Sequence, residues 1–461
     1  LYESSLSLLS FSSLFHSSLN SMSSSSPFLP EMEDSLPKHE IRMDESSSSS
    51  ISSDQDDIPP QRLTRSRRAL IGPFSILLTL TGLDLHKSLC GNRTSQCRSI
   101  TSTIIFIFIL ILFLIRTLFV MSSTAPSLSW GWADSNIIGF TAFQSFVALI
   151  LLARWTTTGL YSAIYTEILR VKKYYTNVES TSIHENGLFI LGLILGVVYI
   201  LITLASSIKS SIYGRYSVEY NGTLVMLHPG YFVFSVDNLF GVEILLGIWM
   251  SLCTVITTAS YVYIHIAIRM ELTKFNEDLS EAIEKKHYSD SLSSFNIRHI
   301  AILRLVVLLT DRLASFASFS TFTIVIVSLN DEFQLIKYSS QANVNAFYQM
   351  SSIGSSNVFG TVMSILWMIT TSILLLLILN PPATIQQLLQ QATSLILNHN
   401  ELIYHPDKIA LSQLMVTRNR VTPTRMAIMN AIVVNTHTPH IITLLVPAVV
   451  AVLSYAKRFQ Q

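Results

Sequence analysis

The stretch TIIFIFILILFLIRTLFVM, residues 103–121, holds a single charge, Arg116, among apolar and hydroxyl side chains. About 20 such residues in helical geometry cross the hydrocarbon core of a bilayer, so this segment is expected to span a membrane. Six further stretches read the same way: 136–153, 187–208, 240–267, 314–329, 357–379 and 438–455. The expected fold class is therefore all-α, a polytopic membrane bundle of seven transmembrane helices. The composition agrees with this. Of 461 residues, 49% are hydrophobic and 13% charged, with a mean hydropathy of +0.46. An ordinary soluble domain carries roughly a quarter charged residues. Lys+Arg 30 against Asp+Glu 29 leaves no global positive field, so no nucleic-acid partner is expected.

The placement of the basic residues orients the bundle. With a cytoplasmic amino terminus, the inner segments 62–102, 154–185, 268–313 and 381–437 hold 22 Lys and Arg residues, and the outer segments hold 5. Cytoplasmic loops carry the positive excess, so the amino terminus is expected in and the carboxyl terminus out. Asn221-Gly222-Thr223 then falls in an outer loop and is expected to be glycosylated at Asn221, whereas Asn92-Arg93-Thr94 lies on the inner side. This topology is opposite to that of a G-protein-coupled receptor. The third span and the loop 209–239 also lack cysteine, no acidic-Arg-aromatic triplet closes the third span, and Asn380-Pro381-Pro382 at the end of span six lacks the expected tyrosine.

Outside the spans the chain divides in two. Residues 1–61 form a Ser-rich tail, with 21 serines in the first 60 residues. It has too little apolar surface to offset its ordering entropy and is expected to be disordered and cytoplasmic. Leu1 stands where a methionine would start a chain, as expected of a fragment or of a gene-model artefact. Residues 62–102 form a basic juxtamembrane segment that opens with Arg62, Arg65, Arg67 and Arg68 and suits an anionic inner leaflet. The seven-helix domain is 103–461. The three cysteines of the chain, Cys90, Cys97 and Cys253, rule out a disulfide scaffold.

Amphipathic stretches follow some of the spans. Phe275, Leu279 and Ile283 recur every four residues amid charges, Phe295, His299, Ile300, Leu303 and Val307 suggest a second helix, and 383–396 a third. These read as helical extensions forming a packed cytoplasmic layer, the other reading being helices lying flat on lipid. Arg116, near the outer end of span one, is expected to snorkel to the interface. Glu243, near the outer end of span four, and Tyr213, Tyr216, Tyr220 and Tyr231 of the loop 209–239 are candidate ligand-pocket residues. An interfacial aromatic belt is the alternative. No nucleophile elbow, zinc-binding helix motif, phosphate loop or Cys-x-x-Cys is present, so no enzyme activity, metal or cofactor is expected.

Seven spans of inverted topology, a basic inner face and long inner helices around spans four to six resemble the insect and nematode gustatory-receptor-like chemoreceptors. Pro73 through Leu85 is similar to the family's segment leading into span one, and Leu272 through Leu279 to its second inner loop. Val433 through Tyr455 is similar to its last span, where the signature is Thr-Tyr, five hydrophobic residues and Gln-Phe. Ser454-Tyr455 takes the first pair and Gln461 the Gln position, while residues 456–460 depart from the hydrophobic run. The resemblance implies a multi-pass plasma-membrane receptor, a homo- or hetero-tetrameric ligand-gated cation channel that binds a small molecule among spans two to six. Span seven of each subunit would line the pore, with Thr443, Val446, Val450 and Ser454 recurring on one face and with Tyr455 and Gln461 beyond them. Two other classes compete with this reading. A G-protein-coupled serpentine chemoreceptor needs an external amino terminus, and a secondary transporter needs two related halves, a repeat this sequence does not show.

Overall fold

The computed structural model describes residues 60–80, 104, 106–118, 130–173, 186–214, 218–220, 223–225, 240–285, 287–345, 354–398, 406–422, 424–428, 432–435, 437–442, 444, 445 and 449. Ile58–Gln461 forms one compact unit. Its elements in chain order are α1 (Pro60–Ile71), α2 (Phe74–Leu80), α3 (Phe106–Leu118), α4 (Trp130–Thr157), α5 (Leu160–Lys173), α6 (Asn186–Gly214), the strands β1 (Val218–Tyr220) and β2 (Thr223–Val225), α7 (Phe240–Glu284), α8 (Tyr288–Asn345), α9 (Gly354–Leu397), α10 (Pro406–Val421) and the strands β3 (Ala427–Ile428) and β4 (Ile432–Val433). Both strand pairs are antiparallel hairpins. Helices α4, α7, α8 and α9 pack on one another and form the centre, with α6 along α7. Of the expected tail, residues 1–61, residues 1–59 lie outside the described residues and the last two open α1.

Among the described residues, three helices are long and apolar enough to cross a membrane: Asn136–Thr157, Ile244–Glu284 and Val362–Leu397. They coincide with the expected second, fourth and sixth spans. The first and third correspond to the shorter apolar helices Phe106–Leu118 and Phe189–Ala205. The expected fifth, 314–329, is part of the 58-residue α8, which takes in Ile300–Leu309 and carries Arg304, Asp311 and Arg312 along its length. Most of the expected seventh span lies outside the described residues. Asn380-Pro381-Pro382, expected at the end of span six, lies inside α9, which runs on to Leu397.

The outward faces are apolar and the polar groups are inside. On α3, Ile107, Phe108, Ile111, Leu114, Ile115 and Leu118 are exposed, while Arg116 and Thr117 are buried. Helix α9 repeats the pattern, with Val362, Ile365, Leu366, Ile369 and Ile373 outside and Ser364, Trp367 and Thr371 inside. Helix α6 exposes Ile190, Leu191, Ile194, Val197, Val198 and Leu201. A helix of a water-soluble bundle places its charges outward, and contiguous apolar patches of this extent are rare on soluble monomers. The pattern suits a bundle solvated by lipid, whose hydroxyls and rare charges face its interior.

Small residues let α6 and α7 approach closely. Gly192 and Gly196 stand one turn apart on α6. A Cβ on Gly192 would run into the Tyr263 hydroxyl, and one on Gly196 would lie 2.8 Å from Val255 Cγ1. The spacing is the small-xxx-small pattern of membrane helix pairs. Gly72, with φ +51°, turns the chain from α1 into α2 with its amide donating to Arg68 O at 3.1 Å, and a Cβ there would meet the Phe189 ring at 2.6 Å. That turn carries Leu70, Ile71, Phe74 and Leu78, all fully buried, into the same core as the long helices.

Beyond the apolar segments, α7, α8, α9 and α10 form a second packed layer, as the amphipathic stretches led one to expect. Phe275, Leu279, Tyr288 and Leu292 are buried in it, so these helices do not lie separately on a surface. Arg298 of α8 pairs with Asp278 of α7 at 2.5 Å and sits 5.2 Å over the Phe275 ring. The Asn276 amide donates to Leu388 O at 3.0 Å, Asn419 to Leu389 O at 2.8 Å, and Arg418 to Asn296 Oδ1 at 2.7 Å. His299 is buried and stacks on Phe275, with ring centroids 6.0 Å apart. Burial, and secondarily the Arg418 guanidinium, lower its pKa to about 4.

Two predictions follow from this packing. Gly192→Ala should destabilise the detergent-solubilised protein by about 1–3 kcal/mol in thermal unfolding, and Tyr263→Phe in the same chain should recover part of the loss. Gly187→Ala, where a Cβ meets nothing within 4 Å, should be neutral. For His299 the folded state holds the imidazole neutral while the unfolded chain protonates near pH 6.5. Its contribution is therefore complete above about pH 6.5 and is lost as pH falls toward 4, on the order of 3 kcal/mol in all. His299→Phe should flatten that part of the pH–stability profile.

Candidate functional site

Helices α3, α4, α6, α7 and α9 enclose a cavity of about 40 Å³, room for roughly three water molecules at 10–15 Å³ each. Its walls are Arg116 of α3, Ile137, Ile138, Thr141, Ala142 and Ser145 of α4, Thr203 of α6, Gly247, Met250 and Ser251 of α7, and Trp367 of α9. The site exists because α4, α6 and α7 bring small or hydroxyl residues to the level at which α3 and α9 place Arg116 and Trp367. Thr141 donates to Ile137 O at 2.6 Å, Ser251 to Gly247 O at 2.9 Å and Thr203 to Tyr199 O at 2.5 Å, each closing a bond to its own preceding turn. Such bonds let a hydroxyl sit in an apolar bundle at little cost. Ser251 also reaches Thr203 at 3.0 Å, and Ser145 lies 2.9 Å from Thr254, so the three helices are joined by hydroxyl pairs.

Arg116 is the one formally charged residue in this lining. It is 5% exposed, and its Nη1 donates to Met250 Sδ at 3.0 Å. The expected snorkelling does not occur, because Arg116 falls on the face of α3 that carries Phe113 and Thr117 inward, opposite Ile111, Leu114 and Ile115. A buried guanidinium is expensive in hydrocarbon and points to function. Trp367 is equally buried and its indole N–H has no partner. Leaving a buried donor unsatisfied costs about 1–3 kcal/mol.

A stripe of buried polar groups descends α7 from the cavity: Ser251, Thr254, Thr257, Ser260, Tyr261 and His265. Thr257 donates to Cys253 O at 2.7 Å, and Tyr161 of α5 donates to Ser260 Oγ at 3.2 Å. The stripe reaches α9 at Tyr261, whose hydroxyl donates to Ile378 O at 2.9 Å. Ile378 is the residue four before Pro382. Pro382 has no N–H, so the helix itself cannot pair that carbonyl, and Tyr261 supplies the missing donor. Met426 Sδ lies 3.6 Å from the same hydroxyl. Met426 opens the β3–β4 hairpin, to which Val434 closes back with its amide on Met426 O at 2.9 Å. The chain then re-enters a helix at Thr438. Asn435 caps it, its Oδ1 accepting from the amides of His437 and Thr438 at 3.0 Å while its own amide donates to Thr438 Oγ1 at 3.0 Å.

Most of the residues singled out from sequence fall elsewhere. Thr443, Val446, Val450, Ser454, Tyr455 and Gln461 lie outside the described residues, as do Tyr216, Asn221 and Tyr231. Tyr213 lies in the last turn of α6, Tyr220 belongs to β1, and Glu243 stands one turn before Gly247 on α7, but their side chains lie outside what is described. Among the described residues no group of three or more His, Cys, Asp or Glu could hold a metal. Arg116, the α7 stripe and Trp367 were missed as a site. The available signal was the three- to four-residue spacing of Ser251, Thr254, Thr257 and Tyr261 inside an apolar span.

These helices share the fold of an insect olfactory receptor. The structure of olfactory receptor OR5 from Machilis hrabei superposes with a TM-score of 0.54 over 85% of this chain and 98% of that one, at 14% identity. The structure of the same receptor in complex with eugenol gives a TM-score of 0.53 over 85% and 99%, also at 14% identity. No curated protein matches by sequence. The chain belongs to the family DUF267, described as Caenorhabditis protein of unknown function, whose model matches residues 70–450.

Tyr261→Phe should destabilise the protein by about 1–3 kcal/mol, the cost of an unpaired buried carbonyl. Adding Pro382→Ala, which restores an amide for Ile378, should return most of that loss in thermal unfolding.

Proposed function

We propose that the chain is a chemosensory receptor of the gustatory-receptor-like type, a ligand-gated cation channel or channel subunit in the plasma membrane of sensory cells. The observation that carries this reading is a small cavity between helices of a bundle with the fold of an insect olfactory receptor, one structure of which is a complex with eugenol. On this reading residues 103–461 hold seven spans with the amino terminus inside and the carboxyl terminus outside. Residues 1–61 are a cytoplasmic tail and 62–102 a basic juxtamembrane segment. Four copies, identical or mixed, surround a pore lined by span seven through Thr443, Val446, Val450 and Ser454, with Tyr455 and Gln461 at its end. Asn221 carries a glycan. Glu243, Tyr213, Tyr216, Tyr220 and Tyr231 contribute to the ligand pocket.

The contacts supply a route from ligand to pore. Ligand in the cavity acts on Met250 and Ser251 of α7. Tyr261, farther down the same helix, holds the proline break of α9 and adjoins the hairpin that leads to the Asn435-capped helix. A shift of α7 against α9 therefore reaches the start of span seven. Ligand opens the pore only by binding the open arrangement more tightly than the closed one, and an apolar constriction in span seven gates by dewetting.

Voltage-clamp recording tests this. Cells expressing the full chain should pass a cation current when exposed to some member of a panel containing eugenol and small carbonyl compounds. Ala142→Leu, which fills the cavity, should reduce the current at least tenfold with surface expression retained. A current unchanged by Ala142→Leu contradicts the cavity as the site, and a response requiring G proteins contradicts the channel.

A further inference from the structure

Contacts between helices fix which residues share a depth in the bundle. Ser145 meets Thr254 and Thr257 reaches Ala148 O at 3.4 Å, both at an offset of 109 residues, so α4 runs in step with α7 and Arg154 falls opposite Tyr263. Tyr161 meets Ser260 at an offset of 99 residues, and Lys172 meets Glu271 at the same offset. Arg170 and Lys173 of α5 therefore fall opposite α7 residues 269 and 272. Helix α8 runs the other way. Arg298 pairs with Asp278, and the Phe316 ring lies 5.1 Å from that of Tyr261, which sets Arg304 and Arg312 near α7 residues 272 and 264. With Arg269 of α7 itself, these exposed basic side chains occupy one band, about 14 Å deep at roughly 1.5 Å per residue.

The band lies where the hydrocarbon should end. The apolar segment of α7 begins at Ile244 and that of α4 at Asn136. From Ile244 to Tyr263 is about 29 Å along a helix and from Asn136 to Arg154 about 27 Å, against about 30 Å for the core of a bilayer. Exposed Leu169 and Met270 stand beside Arg170 and Arg269, a mixture of apolar and basic side chains that suits the edge of a bilayer. The acids at this depth are already engaged: Glu167 with Arg170, Glu271 with Lys172 and Asp311 with Arg312. Among the described residues, Lys173, Arg269 and Arg304 pair with no acid. The exposed acids of α7 begin at Glu277 and continue at Glu281 and Glu284, about 12–22 Å beyond Arg269. Salt screens exposed charges over about 8–10 Å, so those acids do not neutralise the band.

We propose that this band is a docking surface for anionic phospholipid headgroups, which seats one end of the bundle in a negatively charged leaflet through Lys173, Arg269 and Arg304. The partner is lipid because the unpaired cations are spread over three helices at one depth, at the limit of the apolar segments, rather than gathered in a pocket. The proposal needs only the lipid-solvated bundle and stands apart from ligand gating.

Electron spin resonance of spin-labelled phosphatidylserine and phosphatidylcholine, in bilayers holding the full chain, measures the preference directly. Phosphatidylserine should associate about threefold or more tightly than phosphatidylcholine at low salt. The preference should fall toward one at about 1 M salt, where the screening length is about 3 Å. The combined variant Lys173→Gln, Arg269→Gln and Arg304→Gln should abolish it. Lys285→Gln with Lys408→Gln, which removes exposed charges outside the band, should leave it intact. The salt series uses the unaltered chain and so does not depend on any variant folding. Equal association of the two lipids, a preference that survives the combined variant, or one lost equally in the Lys285→Gln and Lys408→Gln chain overturns the proposal.

Discussion

A helix in hydrocarbon must pair its own backbone groups, and Pro382 prevents α9 from doing so at Ile378. The donor comes from another helix, through the Tyr261 hydroxyl at 2.9 Å. This single bond fixes the register of α7 against α9, because any slide of one past the other exposes the carbonyl. It also places the β3–β4 hairpin, since Met426 packs on the same hydroxyl. Above Tyr261 the α7 stripe runs up to the cavity. Below it, Asn276 of α7 reaches the α9 backbone again at Leu388. The break in α9 is thus clamped on both sides by one partner helix, which keeps the helix continuous to Leu397.

The same economy of polar groups shapes the rest of the bundle. Its outer surface on α3, α6 and α9 is apolar, and its interior holds Arg116, hydroxyl pairs and the unpartnered indoles of Trp155, Trp249 and Trp367. Without a hydrophobic force between helices in lipid, close packing through Gly192 and Gly196 and hydroxyl bonds between helices are what hold the upper half together. The lower half is built differently. Phe275, Leu279, Tyr288 and Leu292 bury apolar area in the way of a soluble core, with Arg298–Asp278 across it. Under the proposed receptor function, the cavity among smaller, hydroxyl-lined contacts would accommodate ligand and the firmly packed layer would transmit its effect.

The fold was largely legible in the sequence because length and hydropathy carry most of the signal for a membrane helix. The apolar stretches of α4, α7 and α9 and the amphipathic continuations at Phe275, Phe295 and 383–396 declared themselves. The continuity of α8 and α9 did not. Pro381-Pro382 reads locally as a stop, and only the donor from Tyr261, more than a hundred residues away, lets the helix pass. The cavity was harder still. Arg116 near the end of an apolar stretch has the same sequence signature whether it snorkels or turns inward, and the choice depends on which neighbours share its face. Trp367 and Ser251 come together only through the packing of α9 and α7.

The proposed function requires an inverted receptor bundle in which the chain after Thr438 completes a seventh crossing. The direct measurement places an epitope after Gln461, expresses the full chain, and compares antibody staining of intact and permeabilised cells. Staining of intact cells is the result this account predicts, with the carboxyl terminus outside. Staining only after permeabilisation contradicts it and returns the chain to an even span count or to the topology of a G-protein-coupled receptor.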